Sequence, residues 1–376
     1  MQRKIKTKKQ QKIADMTNKF RFMIGMLLLA FPLIIRAQEA QPTQPKVDRM
    51  PKISGFVQGL YQLNADKDFK VTSNTLRMRR VRLAVDGNIT KNITYKVQGD
   101  FINSPILVDA YIKFKVCNEF AIQVGQFKTP FTLESPINPV NLEIFDYGET
   151  VKSLSGYDDV SGTGKVGRDI GVMLTGDLFN VEVNEKQFSI LNYSIGVFNG
   201  NGANIIDNNN FKDIVGRLEF HPWVKALTLT GSYYYGKHFN EIDLTRRRYS
   251  FGVQYNDNNL VVRAEYVDGT TGKAVESITE ELETVFTENL FYSNGYYAVA
   301  GFWFHFGSEE HPQRLMPVLR YEHFTKDKAL SPNGTNYYTV GISYWPWKSV
   351  NFKLDYSFIQ GSSNSNRIVA LLSYKF

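Results

Sequence analysis

The chain has 376 residues, 43% hydrophobic and 14% aromatic, with 21 Tyr, 27 Phe and a formal charge of +7. Residues 1–37 hold nine Lys/Arg against one acid, Asp15, a net +8, which leaves the remainder at −1. The basic balance therefore belongs to the leader and gives no reason to expect nucleic acid as a partner. The single cysteine, Cys117, excludes an internal disulfide and reads as an inert thiol in a turn.

The leader has the order of a secretory signal peptide. Lys19 and Arg21 precede an apolar stretch at 22–35, and Arg36-Ala37-Gln38 follows. That stretch is too short for a spanning helix, and cleavage is expected after Ala37. Residues 1–15 are unusually basic, so the start is either Met1 or Met16. Residues 38–52 are polar and contain prolines, which marks a tail. Residues 53–376 are expected to form one domain.

From residue 53 the chain alternates with period two, in segments of the length a tilted strand needs to cross a bilayer. The first pair is 53–63 and 76–86, joined by a polar loop at 64–75. In the second of these, Val81, Leu83 and Val85 oppose Arg80, Arg82, Ala84 and Asp86. Segment 93–101 sets Tyr95 and Val97 against Lys96, Gln98 and Asp100; segment 108–116 sets Ile112 and Phe114 against Lys113. Segment 120–130 follows, and then the longest break, 131–167. Its aromatics Phe145, Tyr147 and Tyr157 favour an ordered loop packed on something.

Segments 169–178, 188–198, 213–220, 227–237, 248–255 and 260–267 continue the pattern. Arg217 stands opposite Leu218, and Arg263 opposite Val262. An acidic loop at 269–293 is the one place where a short helix is expected, over 275–286. Segments 296–304, 315–324 (Arg320 opposite Leu319), 337–344, 350–358 and 367–376 complete the set. Short connections alternate with long ones, and the segments total sixteen. The last segment places Ile368, Ala370, Leu372, Tyr374 and Phe376 on one apolar face. The fold expected is all-β: a transmembrane, up-and-down antiparallel β-barrel of 16 strands in the outer membrane of a Gram-negative bacterium. The terminal Phe376 would be read by the barrel assembly machinery.

At this point specific residues resemble the phosphate-selective porin O and P family. The resemblance is carried by RMRRVRLAVDGNITKNITYKVQGDF at 77–101, VDAYIKFKVCNEFAIQVGQFKTPFTLES at 108–135 and GRDIGVML at 167–174. DIVGRLEFHP at 213–222 and the terminal strand match less distinctively. The resemblance implies a 16-stranded homotrimer with inward-folded loops and a cationic pathway for anions. It places Arg80 and Arg82 in the pore, Lys128 just before the long loop, and Asp100 as the acid close to the constriction. The later arginines do not align with the family's ladders, which leaves phosphate open as the particular anion.

Rings of Lys/Arg select anions by replacing part of the hydration shell with charge-assisted hydrogen bonds, and the planar fork of arginine suits phosphate. The expected pathway comprises Arg80, Arg82, Lys96, Lys113, Lys128, Arg217, Arg263 and Arg320, with Asp100 as the constriction acid. Arg77 and Arg79 fall off the inward phase and read as mouth or trimer residues. The competing role for these arginines is neutralisation, because Glu219, Glu265 and Glu322 lie two residues from Arg217, Arg263 and Arg320.

Three rival readings stand beside this one. A general or glycan-type porin would use the tyrosines at 233–235 for stacking. A barrel hydrolase lacks a nucleophile with an orienting acid at readable spacing. A divalent-cation site at Glu149, Asp158 and Asp159 supplies few oxygen ligands, so no metal and no cofactor is expected. The partners expected are small anions, phosphate among them, and membrane lipid.

Overall fold

The computed structural model describes residues 47–102, 106–164, 166–183, 186–222, 224, 226–278 and 284–376. The signal peptide and its cleavage after Ala37 lie outside the described residues, as does the tail up to residue 46.

Sixteen staves form one ring. They are β1 (Lys52–Asp66), β2 (Val71–Thr90), β3 (Ile93–Asp100), β4 (Ile106–Lys115), β5 (Ala121–Lys128), β6 (Arg168–Val183), β7 (Lys186–Phe198) and β8 (Asp213–Phe220). The second half comprises β9 (Leu227–Asn240), β10 (Ile242–Asn256), β11 (Leu260–Ile278), β12 (Thr284–Phe302, continued as Phe304–Gly307), β13 (Pro312–Thr325), β14 (Thr335–Trp347), β15 (Val350–Gln360) and β16 (Ser365–Lys375). Each pairs antiparallel with the next, and β1 closes on β16, with Leu60 opposite Leu371. Closure leaves no strand edge, so the backbone polar groups are satisfied within the ring.

The period-two pattern decides which way each side chain points. Along β8, Asp213, Val215 and Arg217 are buried while Ile214, Leu218 and Phe220 are exposed. Along β16, Val369, Leu371 and Ser373 are buried while Ile368, Leu372, Tyr374 and Phe376 face out. The outward row is the apolar band that meets lipid. Cys117 sits free and exposed in the β4–β5 turn.

Several expected connections are different. The described residues of 275–286 are strand where a short helix was expected: β11 and β12 pair up to Ile278 opposite Thr284, with 279–283 outside the described residues. Cross-strand partners such as Glu276 and Phe286 take over that stretch, and pairing overrides local preference. The polar loop at 64–75 is mostly strand, with Asn64 opposite Ser73. Strands β9 and β10 meet in a tight turn at Glu241, whose φ of 64° is what so short a reversal demands.

The break between β5 and β6 folds back into the ring. It contains a 3₁₀ turn (Pro139–Asn141) and one helix, α1 (Glu149–Leu154). Phe131, Val151 and Leu154 are 0% exposed, so the segment is packed core and no mobile lid.

Candidate functional site in the loop-filled lumen

The inner wall from β8 to β15 is where the loop docks. Wall residues Val261, Tyr297, Val299, Met316 and Val318 form one cluster with Leu142, Ile144, Tyr147 and Val151 of the loop. A second cluster joins Phe131 and Leu154 to Phe127, Phe198, Val215, Tyr234, Val267 and Phe324. Burying each such side chain stabilises by about 1.5–3 kcal/mol, which explains why apolar residues stand on the inner face of a water-filled barrel. Helix α1 lies close against β12 because Gly295 has no side chain: a Cβ there would come within 2.9 Å of the Cβ of Thr150.

Charge fixes the loop where apolar contact leaves off. Arg320 and Arg263 both donate to Glu134, at 2.5 and 3.4 Å, and Arg263 also grips Glu143 at 2.7 and 3.1 Å. Arg248 holds Asp159 with two bonds of 2.6 and 2.7 Å. Arg217 donates to the Thr132 carbonyl at 3.1 Å and pairs with Glu219 at 2.6 Å. The wall answers with acids too: Glu265 accepts from the Leu133 amide at 2.6 Å, Glu322 from Thr150 at 2.7 Å, and Asp355 from Phe145 at 2.8 Å. Lys353 donates to the carbonyls of Val140 and Ile144.

Burial alone would push the loop carboxyls up, but the facing arginines outweigh it. Arg80 and Arg79 hold Asp146 well below the usual carboxylate range, Arg248 does the same for Asp159, and Arg263 lowers Glu143. Between the loop tail and β10, a cavity of about 20 Å³ lined by Arg246, Arg248 and Asp159 has room for little more than a water.

Five cations gather on the wall from β2 to β6. Arg80 donates to Asp146 at 2.8 Å and to Gln58 at 3.0 Å. Arg82 pairs with Asp100 at 2.8 Å, and Arg168 with Asp109 at 3.1 Å. Lys128 donates to Ser135 and Ile137 carbonyls and to the Tyr147 hydroxyl. Arg80, Arg82, Lys128 and Arg168 lie close enough for mutual repulsion. Arg79 is the fifth, and it corrects the expectation that it points to the mouth. A bulge sets Arg80 opposite Gln58 but Met78 opposite Gly59, so the extra residue turns inward and joins Arg80 on Asp146. Three carboxylates, Asp100, Asp109 and Asp146, face these five cations.

The ladder continues below. Register places Lys96 beside Asp86 and Lys113 beside Thr94, itself opposite Asn88. At about 3.3 Å per residue the rungs lie at the levels of residues 80, 82, 86 and 88 on β2. Among the described residues, neither Lys96 nor Lys113 has an ion-pair partner within 4.0 Å.

The expected pathway residues thus fall into two groups. Arg80, Arg82, Lys96, Lys113 and Lys128 share the β2–β5 wall with Asp100, with Arg80 and Lys128 also bonded to the loop; Arg217, Arg263 and Arg320 stand on the opposite wall, engaged with the loop or with their neighbouring acids. Sequence reasoning missed Arg168 and Arg79 as members of the cluster. GRDIG, read only as a resemblance, was the signal for Arg168. The tyrosines at 233–235 do not form a stacking surface: Tyr233 is exposed, Tyr234 is buried on Asp213, and Tyr235 packs edge-on against Phe211. Asp159, a candidate cation ligand, is occupied by Arg248.

The model of the phosphate-selective porin O and P family matches residues 52–367. Among solved structures the chain is similar to OmpF of Salmonella typhi in complex with daunomycin, with 15% identity, a TM-score of 0.61, and 87% of this chain and 98% of that one covered. It is also similar to an anion-selective porin from Comamonas acidovorans, at 12% identity and a TM-score of 0.58, covering 88% and 100%. OmpT of Vibrio cholerae follows at 8% identity and a TM-score of 0.57, covering 89% and 100%. At such identities the likeness is one of fold. No curated protein matches the chain by sequence. A barrel of this fold is an outer-membrane channel for diffusion, and the match across nearly all of the barrel makes the chain a member of the phosphate-selective porin O and P family.

Proposed function

We propose that this porin passes small anions, phosphate among them, in preference to cations. The observation that carries the reading is the five-cation cluster on the β2–β6 wall, Arg79, Arg80, Arg82, Lys128 and Arg168, facing three carboxylates. An anion entering from outside exchanges water for guanidinium and ammonium donors at the cluster. It then moves to Lys96 and Lys113 through rungs spaced for handing on, and repeated weak sites let it leave. Arginine forks at the narrow level favour an oxyanion over chloride. The same reading takes the mature chain to begin after Ala37, to be inserted by way of Phe376, and to assemble as a homotrimer.

Phosphate added to a channel carrying chloride in a planar bilayer tests the oxyanion preference. Block of the chloride current that saturates with phosphate, and that Arg82→Glu abolishes, is the expected result. Additive phosphate and chloride currents, with no block, would reduce the cluster to a general anion filter.

A further inference from the structure

The outer wall carries a feature that ion conduction does not use. On the lipid face of β10–β13, small side chains meet across strands: Ala264 lies opposite Ala298, and Ala300 opposite Val262. Larger neighbours stand on both sides, with Phe251 and Val253 on β10 and Tyr321 on β13. The result is a trough of about 510 Å³ in a wall that is otherwise an even apolar band. Tyr266 and Tyr296 pair across its upper end, 37% and 40% exposed. Its lining spans Tyr296 to Ala298 on β12 and Ala264 to Tyr266 on β11, with Phe251 to Val253 and Tyr321 on either side.

The charges above the trough point to a head group. The Tyr266 hydroxyl donates to Asp268 at 2.9 Å, and Lys328 Nζ reaches the same carboxylate oxygen at 2.9 Å while remaining 43% exposed. Arg247 is exposed on β10, two residues above Tyr249, and has no carboxylate partner within 4.0 Å among the described residues. Asp268 offsets one of the two cations of this rim, and Arg247 carries the charge left over.

We propose that the trough is a binding site for one outer-leaflet lipid, with an acyl chain against Ala264 and Ala298 and an anionic, phosphate-bearing head held by Arg247 and Lys328. Tyrosine hydroxyls mark the boundary between tail and head, as amphipathic rings do at membrane interfaces. Basic side chains near a membrane surface attract anionic lipid with enough energy to set a preference among lipids. The position fits the chain to be held: an alanine floor between aromatic walls, with the basic donors at the rim.

The experiment uses the full chain, purified and delipidated in neutral detergent, with phosphatidylglycerol or phosphatidylcholine of matched acyl chains added and bound lipid counted by native mass spectrometry. The unmodified chain should retain one phosphatidylglycerol, about tenfold more tightly than phosphatidylcholine. Ala298→Phe fills the trough and should abolish retention of both. Arg247→Ala with Lys328→Ala should keep the acyl chain but erase the preference. Ala264→Leu serves as a second filler if Ala298→Phe fails to show heat-modifiable migration. Equal retention of the two lipids by the unmodified chain, or retention unaffected by the fillers, would overturn the proposal. So would a trough that holds no lipid while the fillers break the oligomer on a native gel, since the occupant would then be a second copy.

Discussion

Glu134 receives Arg320 and Arg263 on its carboxylate and accepts the Gly148 amide at 3.2 Å, all within the lumen. Removing one partner of a buried ion pair costs about 3–5 kcal/mol because the other charge is left uncompensated. Glu134→Ala strands parts of two guanidinium groups, so it should loosen the loop by that order. A lower heat-modification temperature and noisier open-channel current are expected; a variant indistinguishable from the parent would contradict the anchoring role. Acidity acts on the same loop in a defined direction. Asp146, Asp159 and Glu143 titrate below their usual values, so their stabilisation is complete above the unfolded values of about 4. It is lost only as pH falls through the depressed folded values. The heat-modification temperature should therefore hold between pH 7 and pH 5 as far as these three groups decide it. A steep fall in that window in the parent, absent from Asp146→Asn with Asp159→Asn, would contradict the assignment.

At the scale of elements, the segment between β5 and β6 fills part of the ring and brings its own carboxylates to the inner wall. Asp146 is the loop's contribution to the cation cluster, whereas Asp159 sits across the lumen on Arg248. Asp146→Asn adds one net positive charge beside the path. At about 8 Å through water that is worth about 0.5 kcal/mol for each ion, favourable for chloride and unfavourable for potassium, or roughly a fivefold rise in the chloride-to-potassium permeability ratio. Asp159→Asn should leave the ratio alone, and equal effects of the two would show that the path is misplaced. The strands were legible because a lipid face and a wet face impose period two on each stave. The loop's course was not, because its partners are remote in sequence: Glu134 and Arg320 are 186 residues apart, and Phe145 and Asp355 are 210 apart. One signal was present. Val261, Val299, Met316 and Val318 are apolar on strands whose opposite face is apolar too, and such a patch inside a barrel needs a cover. The Arg79 bulge was hidden for another reason, since nothing in LRMRRV marks where one extra residue is inserted.

Over the whole molecule, residues 38–376 are nearly neutral at −1, and their charges are sorted by position. Most inner arginines from β8 to β13 are engaged with loop or wall acids, which leaves the β2–β6 wall with an excess of positive charge. Selectivity then follows from where the loop docks as much as from how many cations the chain carries. The reversal potential across a potassium chloride gradient, with single channels in a planar bilayer, tests this most directly. The account predicts a potential displaced toward the chloride equilibrium value, and displaced much less once Arg80→Glu and Arg82→Glu are combined. A potential displaced toward the potassium value in the parent channel would contradict it.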